Sequence, residues 1–202
     1  MFTGIIENTA RILEIKSDQK NLTFTLTCTF VNELKVDQSL SHNGVCLTVT
    51  HINIPESSYC VTAIEETLLR TNLGMLKLND LVNVERCLKL DSLIDGHLVQ
   101  GHVDTAGICT SVKETNGSWK YFFEYNDENK QGYITVEKGS VTLNGVSLTV
   151  VDSGNNSFSV AIIPYTYEHT NFKTLKAGDK VNIEFDIVGK YIAKMLSKTN
   201  RL

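Results

Sequence analysis

The 202-residue chain has few prolines, a small net charge and no long apolar run. No stretch approaches the roughly 18 apolar residues of a membrane-spanning helix, and the first residues lack the basic and then apolar pattern of a signal peptide. A formal net charge of −4 gives none of the basic excess that nucleic-acid binders carry. With 42% hydrophobic residues the chain can bury a core. We therefore expect a folded cytoplasmic protein that binds neither nucleic acid nor membranes.

Cysteine motifs and common catalytic signatures are also missing. The five cysteines form no CxxC pair, which argues against a disulfide scaffold and against a zinc site built from cysteine pairs. We interpret most of them as small buried side chains. The chain has no GxGxxG, P-loop, GxSxG or HExxH motif.

What the chain does contain is short alternating stretches rich in Val, Ile and Thr. We predict strands at residues 23–29, 45–50, 121–125, 146–151 and 157–162, and therefore an antiparallel β sandwich or barrel. Two Asn-Gly dipeptides, Asn43-Gly44 and Asn144-Gly145, predict type I′ hairpins. Side chains alternate along a strand, so Cys46/Thr48 and Ser147/Thr149 should lie opposite the core-facing residues.

The two halves of the chain repeat each other. The segment NGVCLTV at 43–49 matches NGVSLTV at 144–150 in six of seven residues, at an offset of 101. Residues 66–72 and 76–85 match 165–171 and 175–184 at an offset of 99, which requires a two-residue difference in a loop. A period near 100 indicates a tandem duplication of a whole small domain, with a boundary within 88–96.

Helix is expected in two places only. Residues 65–69 predict a turn or a short helix. From Ile187 onward, apolar residues recur at helical spacing, and this amphipathic end either packs on its own chain or joins a partner.

Two histidines, His97 and His102, lie five residues apart in GHLVQGHVD. This spacing places them on opposite faces of a strand, so they are not a natural metal pair. Each taken alone is more often a structural residue than a catalyst.

Seven segments, found in this order along nearly the whole chain, together resemble riboflavin synthase of the α-chain type. They are MFTGIIE, HNGVCLTV, ETLLRTNLG, VNVER, GHLVQGHVD, LNGVSLTV and VNIEFD. The resemblance implies two tandem six-stranded Greek-key β-barrels related by pseudo-twofold symmetry, followed by a C-terminal helix that holds a homotrimer together. It implies barrels at 1–96 and 97–186 and a trimerisation helix at 187–202.

The implied reaction is a dismutation without cofactor or metal. One molecule of 6,7-dimethyl-8-ribityllumazine gives a four-carbon unit to a second, yielding riboflavin and 5-amino-6-ribitylaminouracil. Two identical substrates need two similar pockets, one from each barrel, and the family brings them together between neighbouring subunits. Association with lumazine synthase is a further possible partnership.

The resemblance also implies the pocket residues. The N-terminal pocket is expected to use Gly4, Ile5, Ile6, Cys46, Leu47, Thr48, Thr62, Ala63, Ile64, Glu65, Glu66 and Thr67. The C-terminal pocket is expected to use Gly101, His102, Val103, Lys138, Ser147, Leu148, Thr149, Ala161, Ile162, Ile163, Pro164, Tyr165 and Thr166.

The family's functional residues match six positions, namely Phe2, Cys46, His102, Ser147, Thr149 and Asp186. We assign His102 to proton transfer, because imidazole titrates near neutral pH and the first copy has Ile5 at that position. Ser147 and Thr149 position the ring, and Asp186 orients or activates one of these groups. Cys46 is either a ring contact, which we favour, or a transient nucleophile.

Two other functions compete with this one. The lumazine and yellow fluorescent proteins of luminous bacteria share the fold, bind one lumazine or flavin and do no chemistry. They depart from the synthase in the hairpin and histidine motifs, which this chain keeps. A duplicated β-barrel interaction module would leave the repeated Cys/Ser-Leu-Thr face unexplained.

Overall fold

The computed structural model describes residues 1–126 and 133–199, and their backbone forms two closed barrels of six antiparallel strands. Barrel 1 contains β1 (Asn8–Asp18), β2 (Asn21–Thr27), β3 (Ser39–His42), β4 (Val45–Asn53), β5 (Ser58–Ala63) and β6 (Leu81–Arg86). Barrel 2 contains β7 (Thr105–Thr115), β8 (Ser118–Glu124), β9 (Ser140–Leu143), β10 (Val146–Ser153), β11 (Ser157–Ile162) and β12 (Lys180–Phe185). The helices are α1 (Glu65–Arg70), α2 (Pro164–His169) and α3 (Ile187–Thr199).

The two barrels share one topology. Around barrel 1 the strands follow the order β1-β2-β5-β4-β3-β6, and barrel 2 repeats it as β7-β8-β11-β10-β9-β12. The predicted all-β fold of two six-stranded barrels with a C-terminal helix is confirmed. The two-residue difference between the copies lies in the second hairpin, because β4 and its turn are together two residues longer than β10 and its turn.

The Asn-Gly turns have the backbone that the sequence predicted. Asn43 and Gly44 have φ values of 47° and 80°, and Asn144 and Gly145 have 44° and 83°. Positive φ at both central positions is the requirement of a type I′ turn, which Asn and Gly meet at low cost. The turns fix the pairing of β3 with β4 and of β9 with β10.

Strand alternation places the apolar side chains inside each barrel. In β4, Val45, Leu47 and Val49 are buried, while Cys46 is half-buried and Thr48 is exposed. The same pattern recurs in β10. Each barrel therefore has its own core, and the alternate residues of the hairpin face outward.

The barrels meet on a pseudo-twofold axis. Phe2 and Val99, which are equivalent in the two copies, exchange backbone hydrogen bonds of 2.7 and 3.0 Å. The two hairpin turns also touch there, because a Cβ added to Gly44 would lie 2.8 Å from the Gly145 nitrogen. A side chain at Gly44 or Gly145 would thus separate the barrels.

Six buried or half-buried asparagines, three from each copy, tie the barrels together around this axis. Asn83 donates its side-chain amide to the Asn144 carbonyl, and its counterpart Asn182 donates to the Asn43 carbonyl (2.9 and 2.8 Å). The third pair supplies further bonds across the interface, from Asn72 to Asn144 and from Asn171 to Asn43. Since buried amides must find partners, this network specifies one arrangement of the barrels.

The C-terminal helix α3 begins directly after barrel 2. The Asp186 side chain accepts a hydrogen bond from the Val188 N–H, and Lys190 forms a largely buried ion pair with Asp104 at 2.8 Å. Its apolar residues remain exposed, namely Val188, Tyr191, Ile192, Met195 and Leu196. The predicted helix is confirmed over residues 187–199, while 200–202 lie outside the described residues. Among the described helices, none has the length and apolar character needed to cross a membrane.

Candidate functional site

The repeated hairpin presents the same outward face on both barrels. Cys46 and Ser147 are half-buried, whereas Thr48 and Thr149 are exposed to solvent. Leu47 and Leu148 between them point into the barrel cores, so only their backbone can meet a ligand. Each barrel thus offers a thiol or hydroxyl next to free main-chain groups.

The segments at the start of each copy are exchanged between the barrels. The Cys46 N–H donates to the Gly101 carbonyl at 2.9 Å, and the Ser147 N–H donates to the Gly4 carbonyl at 2.8 Å. Ile6 packs against the core of barrel 2. Val103 packs against the core of barrel 1.

This exchange corrects the expected grouping of the pocket residues. Site A consists of the hairpin residues 46–48 of barrel 1 together with Gly101, His102 and Val103. Site B consists of the hairpin residues 147–149 of barrel 2 together with the segment 4–6. The prediction that residues 4–6 line the same pocket as Cys46 is wrong, because the chain crosses to the other barrel before β1 and before β7.

Two buried carboxylates hold the exchanged segments. Glu85 accepts hydrogen bonds from the N–H groups of Thr3 and Gly4 at 2.6 and 3.0 Å. Its counterpart Glu184 accepts from the N–H groups of Gln100, Gly101 and His102 at 2.7–3.0 Å.

Burial raises the pKa of both carboxyl groups. The pKa of Glu184 is raised to about 7, even though the N–H of Gln100 and the charge of Lys190 act in the opposite direction. The pKa of Glu85 is raised in the same way. Desolvation penalises the charged form, and the backbone donors compensate for it only in part.

Site B contains a histidine that the sequence left among the structural candidates. His97 Nδ1 lies 2.7 Å from Ser147 Oγ, and Nε2 lies 3.2 Å from Thr142 Oγ1. Burial lowers the pKa of His97, while the charge of Asp186 raises it. A neutral imidazole therefore orients the Ser147 hydroxyl. Spacing alone could not find this contact, because residues 97–103 are not a strand and have one isolated bridge, at Val99.

Site A has a different polar set. His102 is exposed and directly follows Gly101, whose carbonyl is bonded to Cys46. Phe2 is completely buried beside them, since a Cβ added to Gly101 would lie 2.8 Å from its ring. Phe2 therefore packs behind the site and shapes it without meeting solvent.

The segments 62–67 and 161–166 have the same place on their barrels. Each runs from the end of β5 or β11 into the first turn of α1 or α2. Ala63 and Ile162 point into the cores, whereas Ile64 and Ile163 are exposed. The helix of barrel 2 is supported by Trp119, the single tryptophan, whose ring stacks on Tyr167 at 3.8 Å. The packing role predicted for Trp119 agrees with this contact.

Neither site is enclosed within one chain. A groove of about 950 Å³ beside barrel 1 borders site B only at Ile5 and contains none of the outward hairpin residues. Lys138 is likewise exposed, two residues before β9, with a φ of 65°. We give the hairpin chemistry more weight than the size of this groove, because a surface completed by a second subunit does not form a closed cavity. In the described part of the chain, no three His, Cys, Asp or Glu side chains are placed to hold a metal ion.

A family model for the lumazine binding domain matches the chain twice, at residues 3–87 and 100–186. Riboflavin synthase of Actinobacillus pleuropneumoniae is 40% identical over 98% of this chain and 91% of its own length. The chain belongs to the riboflavin synthase family. The Escherichia coli K12 relative is 38% identical over 92% of this chain and 87% of its own. The Bacillus subtilis relative is 33% identical over 99% and 92%.

Solved structures of LumP share the fold. The complex of LumP with riboflavin superposes with a TM-score of 0.83 over 92% of this chain and all of LumP. Its complex with 6,7-dimethyl-8-(1'-D-ribityl) lumazine gives 0.81 over 91% of this chain and 98% of LumP. Both are 19% identical in sequence, so they establish the architecture alone.

Proposed function

We propose that the riboflavin synthase activity of this chain takes place between site A of one subunit and site B of the next. Two molecules of 6,7-dimethyl-8-ribityllumazine bind, one at each site, and a four-carbon unit passes from one to the other. The products are riboflavin and 5-amino-6-ribitylaminouracil. The activity is that of a transferase of riboflavin biosynthesis.

Both sites suit a flat heterocycle with a polyol tail. Main-chain groups at Leu47 and Leu148 are free to bond the ring edge, because their side chains are turned into the barrels. Hydroxyl groups surround them, from Thr48, Thr62 and Thr67 on barrel 1 and from Ser147, Thr149 and Thr166 on barrel 2. Lys138 supplies a cation beside the second set.

The trimer is proposed from the exposed stripe of α3. Five large apolar residues on one short helix are covered neither by barrel 2 nor by the rest of the described chain. Packing three such helices together would remove them from water and bring barrels of different subunits face to face. Proximity and orientation of two reactants then contribute roughly 7–11 kcal/mol to catalysis.

Proton transfer is assigned to His102. Carbon–carbon bond formation requires removal of a proton from the acidic C7 methyl group of one lumazine and attack of the resulting carbanion on the partner. His102 is the exposed imidazole of site A and can accept and return that proton near neutral pH. Ser147, oriented by His97, and Thr149 position the second ring, and Asp186 stabilises the His97 imidazole in its protonated form. We interpret Cys46 as a ring contact.

Three further assignments are part of the proposal. The functional units are residues 1–96, 97–186 and 187–202, with segments 2–6 and 97–103 crossing between barrels. The enzyme works in the cytoplasm, and lumazine synthase is its possible partner.

The observation that carries the proposal is the hairpin face repeated on both barrels in a chain 33–40% identical to riboflavin synthases over nearly its full length. The test is to incubate the pure protein with the lumazine and no added metal or nucleotide. We expect riboflavin and the uracil product in equal amounts. Tight binding of the lumazine without turnover would instead place the chain with the non-catalytic fluorescent proteins.

A further inference from the structure

Glu184 lies in barrel 2, but the segment that it holds belongs to site A on barrel 1. Its side chain is almost fully buried, with 3% of its surface exposed. One carboxylate oxygen accepts from Gln100 and the other from Gly101 and His102, so three consecutive N–H groups converge on one side chain. A fixed anion with three donors is a rigid arrangement.

The held segment has no freedom to move on its other side. A Cβ added to Gly101 would lie 2.7 Å from the Cβ of Cys46, and the Gly101 φ of +80° is one that favours glycine. The Gly101 carbonyl is bonded to the Cys46 N–H at 2.9 Å. The backbone from which His102 projects is therefore clamped between Glu184 and the hairpin of the other barrel.

We propose that Glu184 is a positioning residue for the reaction, which fixes the backbone of residues 100–102 so that His102 reaches the substrate in site A. The inference rests on the proposed role of His102. It assigns to barrel 2 a contribution to the chemistry of a site whose walls are on barrel 1. Glu184 itself touches neither substrate.

Glu85 provides a matched control within the same chain. It is buried to a similar extent, at 4% exposure, and it clamps Thr3 and Gly4 against Ser147 of barrel 2 in the same way. The residue after its glycine is Ile5, which shapes site B but cannot carry a proton. Loss of Glu85 should therefore loosen substrate binding, whereas loss of Glu184 should misplace a proton carrier.

The experiment compares Glu184→Gln, Glu85→Gln, His102→Gln and the double variant of 184 and 102 in steady-state turnover of the lumazine. Glutamine keeps the size of the side chain but turns an NH₂ group toward N–H donors. We expect Glu184→Gln to lower kcat by about 10-fold or more with KM changed by less than about 3-fold, and Glu85→Gln to show mainly a raised KM. Thermal unfolding should report a similar loss of stability for both.

The double variant separates positioning from general damage. If Glu184 acts through His102, its replacement should change kcat by less than about 2-fold once His102 is already Gln. An unchanged kcat in Glu184→Gln would overturn the inference, as would an equal loss in both backgrounds. Normal turnover in His102→Gln would instead refute the role of His102. Should Glu184→Gln fail to fold, Glu184→Asp, which withdraws the carboxylate but keeps its charge, is expected to give the same kcat loss.

Discussion

The two barrels have the same strand order but different interiors. In barrel 1 the buried ring of His42 bonds the Tyr59 hydroxyl at 3.0 Å and the Leu40 carbonyl at 3.1 Å. Barrel 2 has Leu143 and Phe158 at the corresponding positions. One topology thus accepts either a polar or an apolar pair at its centre, because hairpin geometry and core volume decide the fold.

The rims of the barrels differ more than their interiors. Ser147 is bonded to His97 in site B, whereas Cys46 in site A lies beside the segment that carries His102. The duplication therefore kept the main-chain geometry and let the ionisable groups diverge. A dismutation requires this asymmetry, since one substrate molecule donates carbon atoms and its twin accepts them.

The largest expected effect concerns the segment that leaves each barrel, a linker after barrel 1 and α3 after barrel 2. A chain ending at Asp186 lacks the exposed apolar stripe and should be a monomer. Turnover should fall by at least about 10³-fold, since the two substrates lose the proximity that the assembly supplies. Sedimentation velocity and riboflavin formation measure the two quantities.

The control for truncation is Lys190→Met in the full chain. It removes the ion pair with Asp104 but leaves the stripe intact. We expect a trimer with a more mobile helix, detected as faster amide exchange in 187–199. A stable, active trimer of the truncated chain would contradict the role given to α3.

The second prediction compares His102 with its counterpart Ile5. His102→Gln should lower turnover by about 10²-fold or more, because a general acid–base group typically contributes that much, with lumazine binding retained. Ile5→Val, which trims one methyl group, should cost far less. Near-normal turnover in His102→Gln would mean that orientation alone supplies the rate.

The third prediction concerns the stability of barrel 1. Burial lowers the pKa of His42 to about 4, below the unfolded value of 6.5. The unfolded chain therefore binds the extra proton first, and stability is lost as the pH falls from about 6.5 to 4, by up to roughly 3 kcal/mol. Urea unfolding between pH 7 and pH 4 measures this change.

The matched variant gives barrel 1 the residues of barrel 2. His42→Leu alone should cost about 1–3 kcal/mol, because the buried Tyr59 hydroxyl loses its partner. The double variant with Tyr59→Phe should recover most of that loss and remove the contribution of His42 to the pH dependence. If the acid sensitivity is unchanged in the double variant, it originates elsewhere.

The smallest effect is expected from Cys46→Ser, which gives site A the residue of site B. If Cys46 is a ring contact, turnover should change by less than about 3-fold, because the hydroxyl keeps the size and polarity of the thiol. A loss of several orders of magnitude would identify Cys46 as a nucleophile. Ser147→Cys is the reciprocal control.

Local signals in the sequence predicted much of the fold. The Asn-Gly turns, the alternation along β4 and β10 and the internal repeat each depend on neighbouring residues, and all three appear in the structure. The short helix expected at 65–69 is α1, whereas α2, which begins at Pro164 in the matching block, was not predicted.

The exchange of segments could not be predicted from the sequence. Gly4 and Gly101 each lie against the other barrel's surface, and no local pattern tells which of two similar hairpins a short segment will join. The bond between His97 and Ser147 spans 50 residues and depends on that same crossing. Sequence therefore specified the participating residues better than their grouping.

The buried hairpin turns also determine how the protein ages chemically. Asn-Gly is the dipeptide most prone to deamidation, which requires the glycine nitrogen to attack the asparagine side chain. Here the side-chain oxygens of Asn43 and Asn144 accept hydrogen bonds from Asn83 and Asn182, so the amides are held away from that reaction. Deamidation must wait for the barrels to separate, and it would leave a carboxylate on the axis where they meet. Accumulated mass gain at these two sites is thus a record of how often the interface has opened.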